Sequence, residues 1–429
     1  MYLLFYAKKN DTLDQIKYSI KLKKSLKIIG IAFLLLIVAG GLFVFNTISQ
    51  YGKICEGELD MSIPTDTIPF TYSASGHILI SAKINKSDKD YSFILDSGAS
   101  SIVFPNLQKE IQLENNGFSL GQNSSGNFSF SRIKKIDSIH VGNFKFSNFN
   151  ADDSAFNVDC VENVYGVIGI GVMRHLVWNI DFEKKLIIVS RDIKNFRFQE
   201  DKIEIPLEEN QFSHHLNTYI NFRKRRSSTS VTVDLGNSGS LSLRESDILF
   251  DSIDFRSATI FGRGSTGLGD DEKRLSEEKY YLLDTIYLEP SNHFVNNFQV
   301  KSSPAGLNLL GLGFFKSYKT TISWLDQKLI LEPYSEAVSS IYNDFGFHTR
   351  YEKEENRAYV STIIESSHAS ILNIPLHSEV ISINGIRMND LSVYCEYKLT
   401  RAVEDSIILE LKHEGSIKKF VVRKEYLFN

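Results

Sequence analysis

The sequence predicts a mainly β protein in which an apolar N-terminal helix precedes two similar β lobes and a small α+β module. Its 429 residues include 30 Phe and 19 Tyr but only 8 Pro, a composition that favours strands. From residue 68 to about 333, short apolar or alternating segments are separated by Gly, Asn, Asp and Ser, as in strands joined by turns. The middle of the chain also resembles itself, which indicates a duplicated lobe.

Charge and cysteine content exclude several classes of function. The net charge is −4, so no basic field favours nucleic acid as a partner. The three cysteines, Cys55, Cys160 and Cys395, are too few for a disulfide framework and lack metal-ligand spacing. The cysteines therefore indicate no metal site, and the two-carboxylate chemistry described below needs no metal and no organic cofactor. Cys55 and Cys160 could pair in an oxidising compartment, but the sequence leaves this open.

Residues 28–45 carry no charge over eighteen positions, which is long enough to cross a bilayer. The lysines of residues 1–27 precede this span, so we predict a cytoplasmic tail and an extracytoplasmic remainder, periplasmic in a Gram-negative cell. The alternative is a cleaved signal peptide. It is disfavoured because the polar region is long and Asn46–Ser49 is a poor cleavage site. The chain is thus predicted to be a single-pass membrane protein, with residues 46–65 as a polar stalk.

The internal repeat is centred on two aspartates. Asp96 ends an apolar run and is followed by Ser-Gly-Ala-Ser, and Asp234 occupies the same place before Leu-Gly-Asn-Ser. An apolar-apolar-Gly element ends at Gly169 and at Gly311, which follow the two aspartates by 73 and 77 residues. Similar tails come next, at 178–188 and 320–331. Two lobes, 66–198 and 199–336, can therefore face each other and bring the two carboxylates together.

Such a pair of carboxylates has a defined chemistry. At a separation of about 3 Å the two groups cannot both ionise, so they share one proton. The ionised carboxylate can take a proton from water while its protonated partner polarises a carbonyl group. The titration belongs to the pair, so acid and base are not assigned to one residue each.

The pattern resembles the pepsin/retropepsin-like aspartic peptidase family, most closely its two-lobed bacterial members. The resemblance implies a bilobal β-barrel pair and a monomeric aspartic endopeptidase that hydrolyses peptide or protein substrates. It also implies that Asp96 and Asp234 are catalytic. By the same resemblance, Ser97 supplies a hydroxyl that bonds to the partner lobe, and Gly98 and Gly236 supply turn N–H groups that hold the carboxylates.

The second motif departs from the family pattern. Leu235 stands where the family has Ser or Thr, so one of the two cross-lobe hydroxyls is missing, at a cost of about 1–2 kcal/mol. Two alternatives follow. The chain could be a catalytically impaired pepsin-like protein that binds peptides, or it could act as a dimer in which Asp96 pairs with Asp96 of a second chain.

The family also closes a hairpin flap over its substrate, which excludes water from the site. Two segments occupy the corresponding places, Gly121–Phe128 and Gly262–Gly269. The first is preferred because the single flap of pepsin lies in the first lobe. Its candidate residues are Gly126, Asn127 and Phe128.

Residues 340–425 resemble a PDZ domain of the kind found on bacterial proteases. Phe345, Gly346 and Phe347 stand where a carboxylate-binding loop would be, and Leu376–Gly385 matches a later turn without its Gly-Asp. The resemblance implies that an extended peptide adds to a sheet edge while its terminal carboxylate meets backbone N–H groups. The alternative is a module that only packs against the lobes.

Other motifs are weaker. Gly262–Gly267 fits the dinucleotide pattern Gly-x-Gly-x-x-Gly, but no apolar helix follows it. His214-His215 is expected in a solvated loop, because adjacent residues on a strand point to opposite faces. The basic run Arg223–Arg226 reads as a hairpin turn in water. Asp152-Asp153 and Asp270-Asp271 read as solvated loop charges.

Overall fold

The computed structural model describes residues 24, 26–46, 52–54, 57–60, 63–123, 128–154, 160, 163–222, 228–249, 255–264, 277–291, 293–334, 343–400 and 404–428. Several predicted features lie outside these residues, namely most of the N-terminal tail, Cys55, the flap candidates Gly126 and Asn127, the basic run Arg223–Arg226, and Asp270-Asp271.

The apolar segment forms a helix, α1, over Leu26–Asn46. It has 21 residues and a mean hydropathy of 2.9 in its most apolar window, and none of that window is buried. Its length and composition fit either a membrane anchor or a signal sequence. The chain from Gly52 onward forms a separate unit.

The first lobe is built almost entirely of strands. Its elements are β1 (Glu58–Leu59), β2 (Thr65–Pro69), β3 (Thr71–Tyr72), β4 (Ile78–Ile84), β5 (Tyr91–Leu95), β6 (Ile102–Val103), α2 (Pro105–Glu110), β7 (Glu114–Gln122), β8 (Phe128–Val141), β9 (Phe144–Asp153), β10 (Val164–Ile168), α3 (Ile170–Met173), β11 (Val177–Asp181), β12 (Leu186–Ser190) and a 3₁₀ turn (Ile193–Asn195). Strands β9, β6, β10, β5, β4 and β8 form a closed six-stranded barrel, because β8 pairs with both β4 and β9. Their alternating burial, as in β4, places every second side chain inside.

The second lobe repeats this arrangement. Its elements are β13 (Ile203–Pro206), β14 (Glu208–Glu209), β15 (Leu216–Phe222), β16 (Thr229–Asp234), β17 (Leu241–Arg244), α4 (Glu245–Leu249), β18 (Ser257–Gly262), β19 (Lys279–Glu289), β20 (His293–Ser303), β21 (Leu309–Gly311), α5 (Leu312–Phe315), β22 (Tyr318–Ser323) and β23 (Lys328–Pro333). Strands β15, β16, β21, β17, β20 and β19 close a second barrel through the pairing of β15 with β19. The prediction of two β barrels is therefore confirmed.

A third sheet joins the lobes. Strand β11 of the first lobe pairs antiparallel with β22 of the second, so that Trp178 lies opposite Ile322. The complete order, β13-β23-β22-β11-β12-β2, takes three strands from each lobe. All five residues of β11 are buried. Because one continuous core cluster contains residues of both barrels, the lobes pack as one body.

The C-terminal module has its own core. Its elements are β24 (Asn343–Asp344), β25 (Phe347–Glu352), β26 (Arg357–Ile364), α6 (His368–Ile371), β27 (Glu379–Ile383), β28 (Ile386–Arg387), α7 (Leu391–Thr400), β29 (Ser406–His413), β30 (Ser416–Arg423) and β31 (Glu425–Tyr426). Helix α7 packs on β25, where the Tyr394 hydroxyl donates to the Thr349 carbonyl oxygen at 2.8 Å. The module is thus α+β.

Both lobes hold the module. Strand β18 of the second lobe extends the module's sheet by pairing with β26, with Ile260 opposite Ile364. A small apolar cluster at this junction also contains Phe428. On the first-lobe side, a disulfide joins Cys160 to Cys395. The pairing considered from the sequence, Cys55 with Cys160, is therefore wrong.

The predicted stalk also needs correction. Within 46–65, Ile54 is fully buried and β1 pairs with β9, with Glu58 opposite Ser147. These residues belong to the first lobe, because their apolar side chains and backbone groups are used by its core and its sheet.

Candidate active site

The two aspartates lie at equivalent points of the two barrels. Asp96 follows β5 and Asp234 ends β16, and each of these strands runs parallel to a neighbouring strand, β10 or β21. The Asp96 amide donates to the Ile168 carbonyl oxygen at 3.0 Å, which fixes the turn against β10. In each lobe the chain then turns at a glycine.

The turn glycines bring the carboxylates together. A Cβ atom on Gly98 would lie 2.4 Å from Cγ of Asp234, and one on Gly236 would lie 2.1 Å from an oxygen of Asp96. Each carboxylate thus rests on the turn of the opposite lobe, and the two side chains are within hydrogen-bond reach of each other. Any larger residue at either glycine would separate them. The two aspartates therefore meet within one chain.

Backbone N–H groups hold both carboxylates. The Gly98 N–H donates to Asp96 Oδ1 at 2.7 Å, and the Gly236 N–H donates to Asp234 Oδ1 at 2.8 Å. The Asn237 N–H adds a bond to the same Asp234 oxygen at 3.0 Å. These three bonds are all made to the Oδ1 atoms, and they fix the orientation of both carboxylates.

The site disfavours two ionised carboxylates. Burial raises the pKa of Asp234 well above its ordinary value, and the neighbouring charge of Asp96 raises it further. Burial also raises the pKa of Asp96, although backbone N–H donors oppose the shift. Because the two groups interact, the pair favours the state that holds one shared proton.

A serine hydroxyl joins the two turns from one side only. Ser97 Oγ donates to the Val233 carbonyl oxygen at 2.8 Å and accepts from the Leu235 N–H at 2.9 Å. The reciprocal bonds cannot form, because the side chain of Leu235 has no hydroxyl. Leu235 instead is fully buried in the core shared by the lobes. The cross-lobe connection is therefore asymmetric.

Two histidines also cross between the lobes. His77 of the first lobe lies beside the Gly236 backbone, and His215 of the second lies beside the Gly98 backbone. Burial lowers the pKa of each to about 4. Each histidine precedes its own lobe's aspartate by nineteen residues, a spacing in the sequence that could have revealed them. The expectation that His215 is solvated is wrong.

A buried carboxylate joins the turn that follows Asp96 to the hairpin β7–β8. Asp152 accepts hydrogen bonds from Ser119 on β7 at 2.5 Å, from Ser131 on β8 at 2.7 Å, and from Ser100 at 2.8 Å. Ser100 lies four residues after Asp96. Asp152 is therefore not the solvated loop charge that the sequence suggested, because these hydroxyls replace its water.

The predicted flap residue that the structure describes is Phe128, the first residue of β8. It pairs with Gln122 across the hairpin, and its side chain is exposed. Of the second flap candidate, the structure describes only residues 262–264. Residues Ile260–Gly262 leave β19 and pair with β26 of the C-terminal module. The described end of β18 is thus held by the module.

The predicted carboxylate-binding loop of the module is closed. Phe345 and Phe347 are buried, and the Gly346 carbonyl accepts from the Ile364 N–H at 2.9 Å and from Ser367 Oγ at 3.2 Å. The Phe345 N–H donates to the carboxylate of Asp344 at 2.6 Å. An acidic side chain already occupies a donor that a ligand carboxylate would need.

No protein-family model matches the chain, and no curated protein matches it in sequence. Its function is consequently argued from the geometry of this site.

Proposed function

We propose that the protein is an aspartic endopeptidase in which Asp96 and Asp234 activate water for attack on a peptide bond. The observation that carries this proposal is the placement of each carboxylate against the turn glycine of the opposite lobe. Two buried carboxylates in contact, raised in pKa and oriented by N–H donors, have the properties that general acid–base hydrolysis requires.

In the proposed reaction, a water molecule bound between the two carboxylates loses a proton to the ionised carboxylate. The protonated carboxylate donates a hydrogen bond to the substrate carbonyl oxygen as the tetrahedral intermediate forms. The proton then passes to the leaving amine, the C–N bond breaks, and the pair returns to its singly protonated state. The hairpin β7–β8 is the element suited to cover the substrate and exclude water.

The alternative, a catalytically impaired peptide-binding protein, is favoured by one observation. Leu235 removes one arm of the hydroxyl connection, so the relative position of the two turns depends on Ser97, on the two cross-lobe histidines and on packing. In both functions a peptide binds at the two aspartates, and the functions differ in whether that peptide is cleaved.

The deciding experiment measures cleavage of a peptide library by the full chain, by Asp96→Asn and by Asp234→Asn. The peptidase proposal expects cleavage by the full chain and a loss of at least about a thousandfold in each variant, since removal of either carboxylate abolishes the shared proton. Binding of peptides by all three proteins without any cleavage would favour the alternative. Cleavage retained by either variant would exclude the dyad.

We further propose that the C-terminal module binds substrate or partner peptides, as its PDZ-like resemblance implies. Strand β25 pairs with β26, and α7 packs beside it. The Phe345 N–H already donates a hydrogen bond to the carboxylate of Asp344. We therefore expect the module to bind an internal peptide segment more tightly than a free C-terminus. Fluorescence polarisation with matched peptides, one amidated and one with a free carboxylate, tests this. Tighter binding of the free acid would contradict it.

A further inference from the structure

The hairpin β7–β8 has two chemically different faces. Its register places Phe118 opposite Arg132 and Leu120 opposite Phe130. We call the face formed by Phe118, Leu120, Phe128, Phe130 and Arg132 the outer face. Three of its phenylalanines are strongly exposed, Phe118 by 61%, Phe128 by 70% and Phe130 by 63%.

The opposite face points toward the active-site turn. Ser119 and Ser131 alternate with the outer-face residues and bond to Asp152, which also bonds to Ser100. Since side chains alternate between the faces of a strand, the outer face is directed away from Asp96. Its phenylalanines are therefore not placed to contact a peptide at the aspartates.

Single exposed apolar residues are ordinary, but a cluster on one face indicates an interaction surface. Aromatic side chains next to an arginine are typical of the bilayer interface, where the rings enter the headgroup region and the cation meets anionic lipid. The outer face has this composition.

The sequence also limits how far this hairpin can lie from α1. Helix α1 ends at Asn46 and Ile54 is fully buried in the first lobe, so seven residues lie between them, spanning at most about 25–30 Å. Lys53 Nζ is 3.5 Å from the Asn116 carbonyl oxygen on β7, two residues before Phe118. The chain that follows α1 thus contacts the base of the hairpin at Lys53.

We propose that the outer face of the β7–β8 hairpin docks on an anionic lipid bilayer. The proposal rests on α1 remaining in the membrane, which holds the hairpin base close to the headgroups. It does not depend on peptidase activity. Docking would leave the serine face toward the aspartates and the aromatic face in the lipid interface.

The test uses the full chain reconstituted in vesicles of phosphatidylcholine and phosphatidylglycerol that contain brominated lipid. Phe130→Trp is the reporter, and Phe294→Trp, an exposed site on β20 of the second lobe, is the matched control. The native Trp178 and Trp324 are buried, and the unsubstituted chain gives their background. We expect at least twofold quenching of the Phe130→Trp signal above background and none for the control.

Absence of quenching in Phe130→Trp, or equal quenching in the control, would overturn the proposal. The tryptophan emission of Phe130→Trp could instead shift to the blue without quenching, by an amount that grows with protein density. That result would assign the outer face to contact with a second copy of the chain and would also overturn the proposal. If Phe130→Trp fails to fold by circular dichroism, Phe128→Trp replaces it. Adding Arg132→Gln should reduce quenching in anionic vesicles to the level in phosphatidylcholine alone. An unchanged signal would contradict the role of anionic lipid.

Discussion

The hydroxyl of Ser97 accepts a hydrogen bond from the backbone N–H of Leu235 at 2.9 Å, and position 235 has no hydroxyl to return it. Ser97 therefore supplies its hydroxyl bonds between the two turns without a counterpart at position 235, while the Leu235 side chain fills space in the shared core. At position 235 the second turn therefore has apolar packing in place of a hydroxyl hydrogen bond. Substitutions at this position can measure the two contributions separately.

Leu235→Thr would add the missing hydroxyl and remove buried apolar volume. We expect peptide cleavage to be faster than in Leu235→Val, by roughly threefold to tenfold, because Thr and Val are nearly equal in shape and only Thr can bond the opposite turn. Both variants should lose about 1–3 kcal/mol of unfolding free energy through lost packing. The kinetics are measured at a temperature where both are folded. Equal rates for Thr and Val would show that the hydroxyl is not needed.

Asp152→Ala would leave the hydroxyls of Ser119, Ser131 and Ser100 without their common acceptor. We expect the unfolding free energy to fall by about 2–4 kcal/mol and kcat to fall by about tenfold, because the hairpin is no longer fixed to the active-site turn. Hydrogen exchange in residues 114–122 should increase.

Asp153→Ala is the matched control for this experiment. Asp153 bonds to Gln108 at 2.6 Å and lies 3.5 Å from the ammonium of Lys134, and it makes none of the three serine bonds. A fall in kcat that is the same in both variants would show that Asp152 does not act through the hairpin.

Three histidines should make the fold sensitive to acid. Burial lowers the pKa of His77, His175 and His215 to about 4, from an ordinary 6.5. The unfolded chain therefore binds more protons, and stability falls as the pH drops from 6.5 toward 4. The raised pKa values of Asp96 and Asp234 act in the opposite direction, since their protonation favours the folded state.

His77 and His215 are the two histidines chosen for substitution. His77 faces the hydroxyl of Ser75 and the charge of Lys316, and His215 lies next to His214. We expect His77→Gln and His215→Gln each to reduce the loss of Tm between pH 6.5 and 4. His413→Gln, at the half-buried last residue of β29, is the control and should leave the profile unchanged. If Tm depends on pH in the same way in the unsubstituted chain and in all three variants, the acid sensitivity does not come from His77 and His215.

The disulfide between Cys160 and Cys395 closes a span of 235 residues in sequence. Its removal in Cys395→Ser should lower stability by on the order of 3–5 kcal/mol, because the unfolded chain regains the freedom that the bond removes. Mass spectrometry of the unreduced protein should find the two cysteine peptides linked and Cys55 open to alkylation. A peptide linking Cys55 to Cys160 would disprove this pairing.

The fold was more predictable than the site. The two barrels follow from the repeat around Asp96 and Asp234, since similar strands and similar turns fold alike. Asp152 could not be assigned from sequence, because its three serine partners belong to separate strands and a distant turn. His77 and His215 carried a usable signal in their equal spacing from the aspartates, but one of them alone resembles any core histidine.

Contacts between the module and the lobes were also beyond the sequence. Nothing local distinguishes Cys395 from Cys55 as a partner of Cys160, and the pairing of β18 with β26 depends on how two separate folds meet. The PDZ-like resemblance of residues 340–425 stays a prediction. At the residues of its predicted loop, the Phe345 N–H donates to the carboxylate of Asp344.

The junction of β18 with β26 limits how the protein can be shortened for laboratory use. A fragment ending before residue 343 would keep both aspartates but leave the outer edge of β18 without its partner strand. It would also expose Ala258, Ile260 and Tyr280, which pack in one apolar cluster with Phe428 of the module. An unpaired edge beside apolar surface favours aggregation. The smallest well-behaved fragment that contains both aspartates therefore includes the C-terminal module.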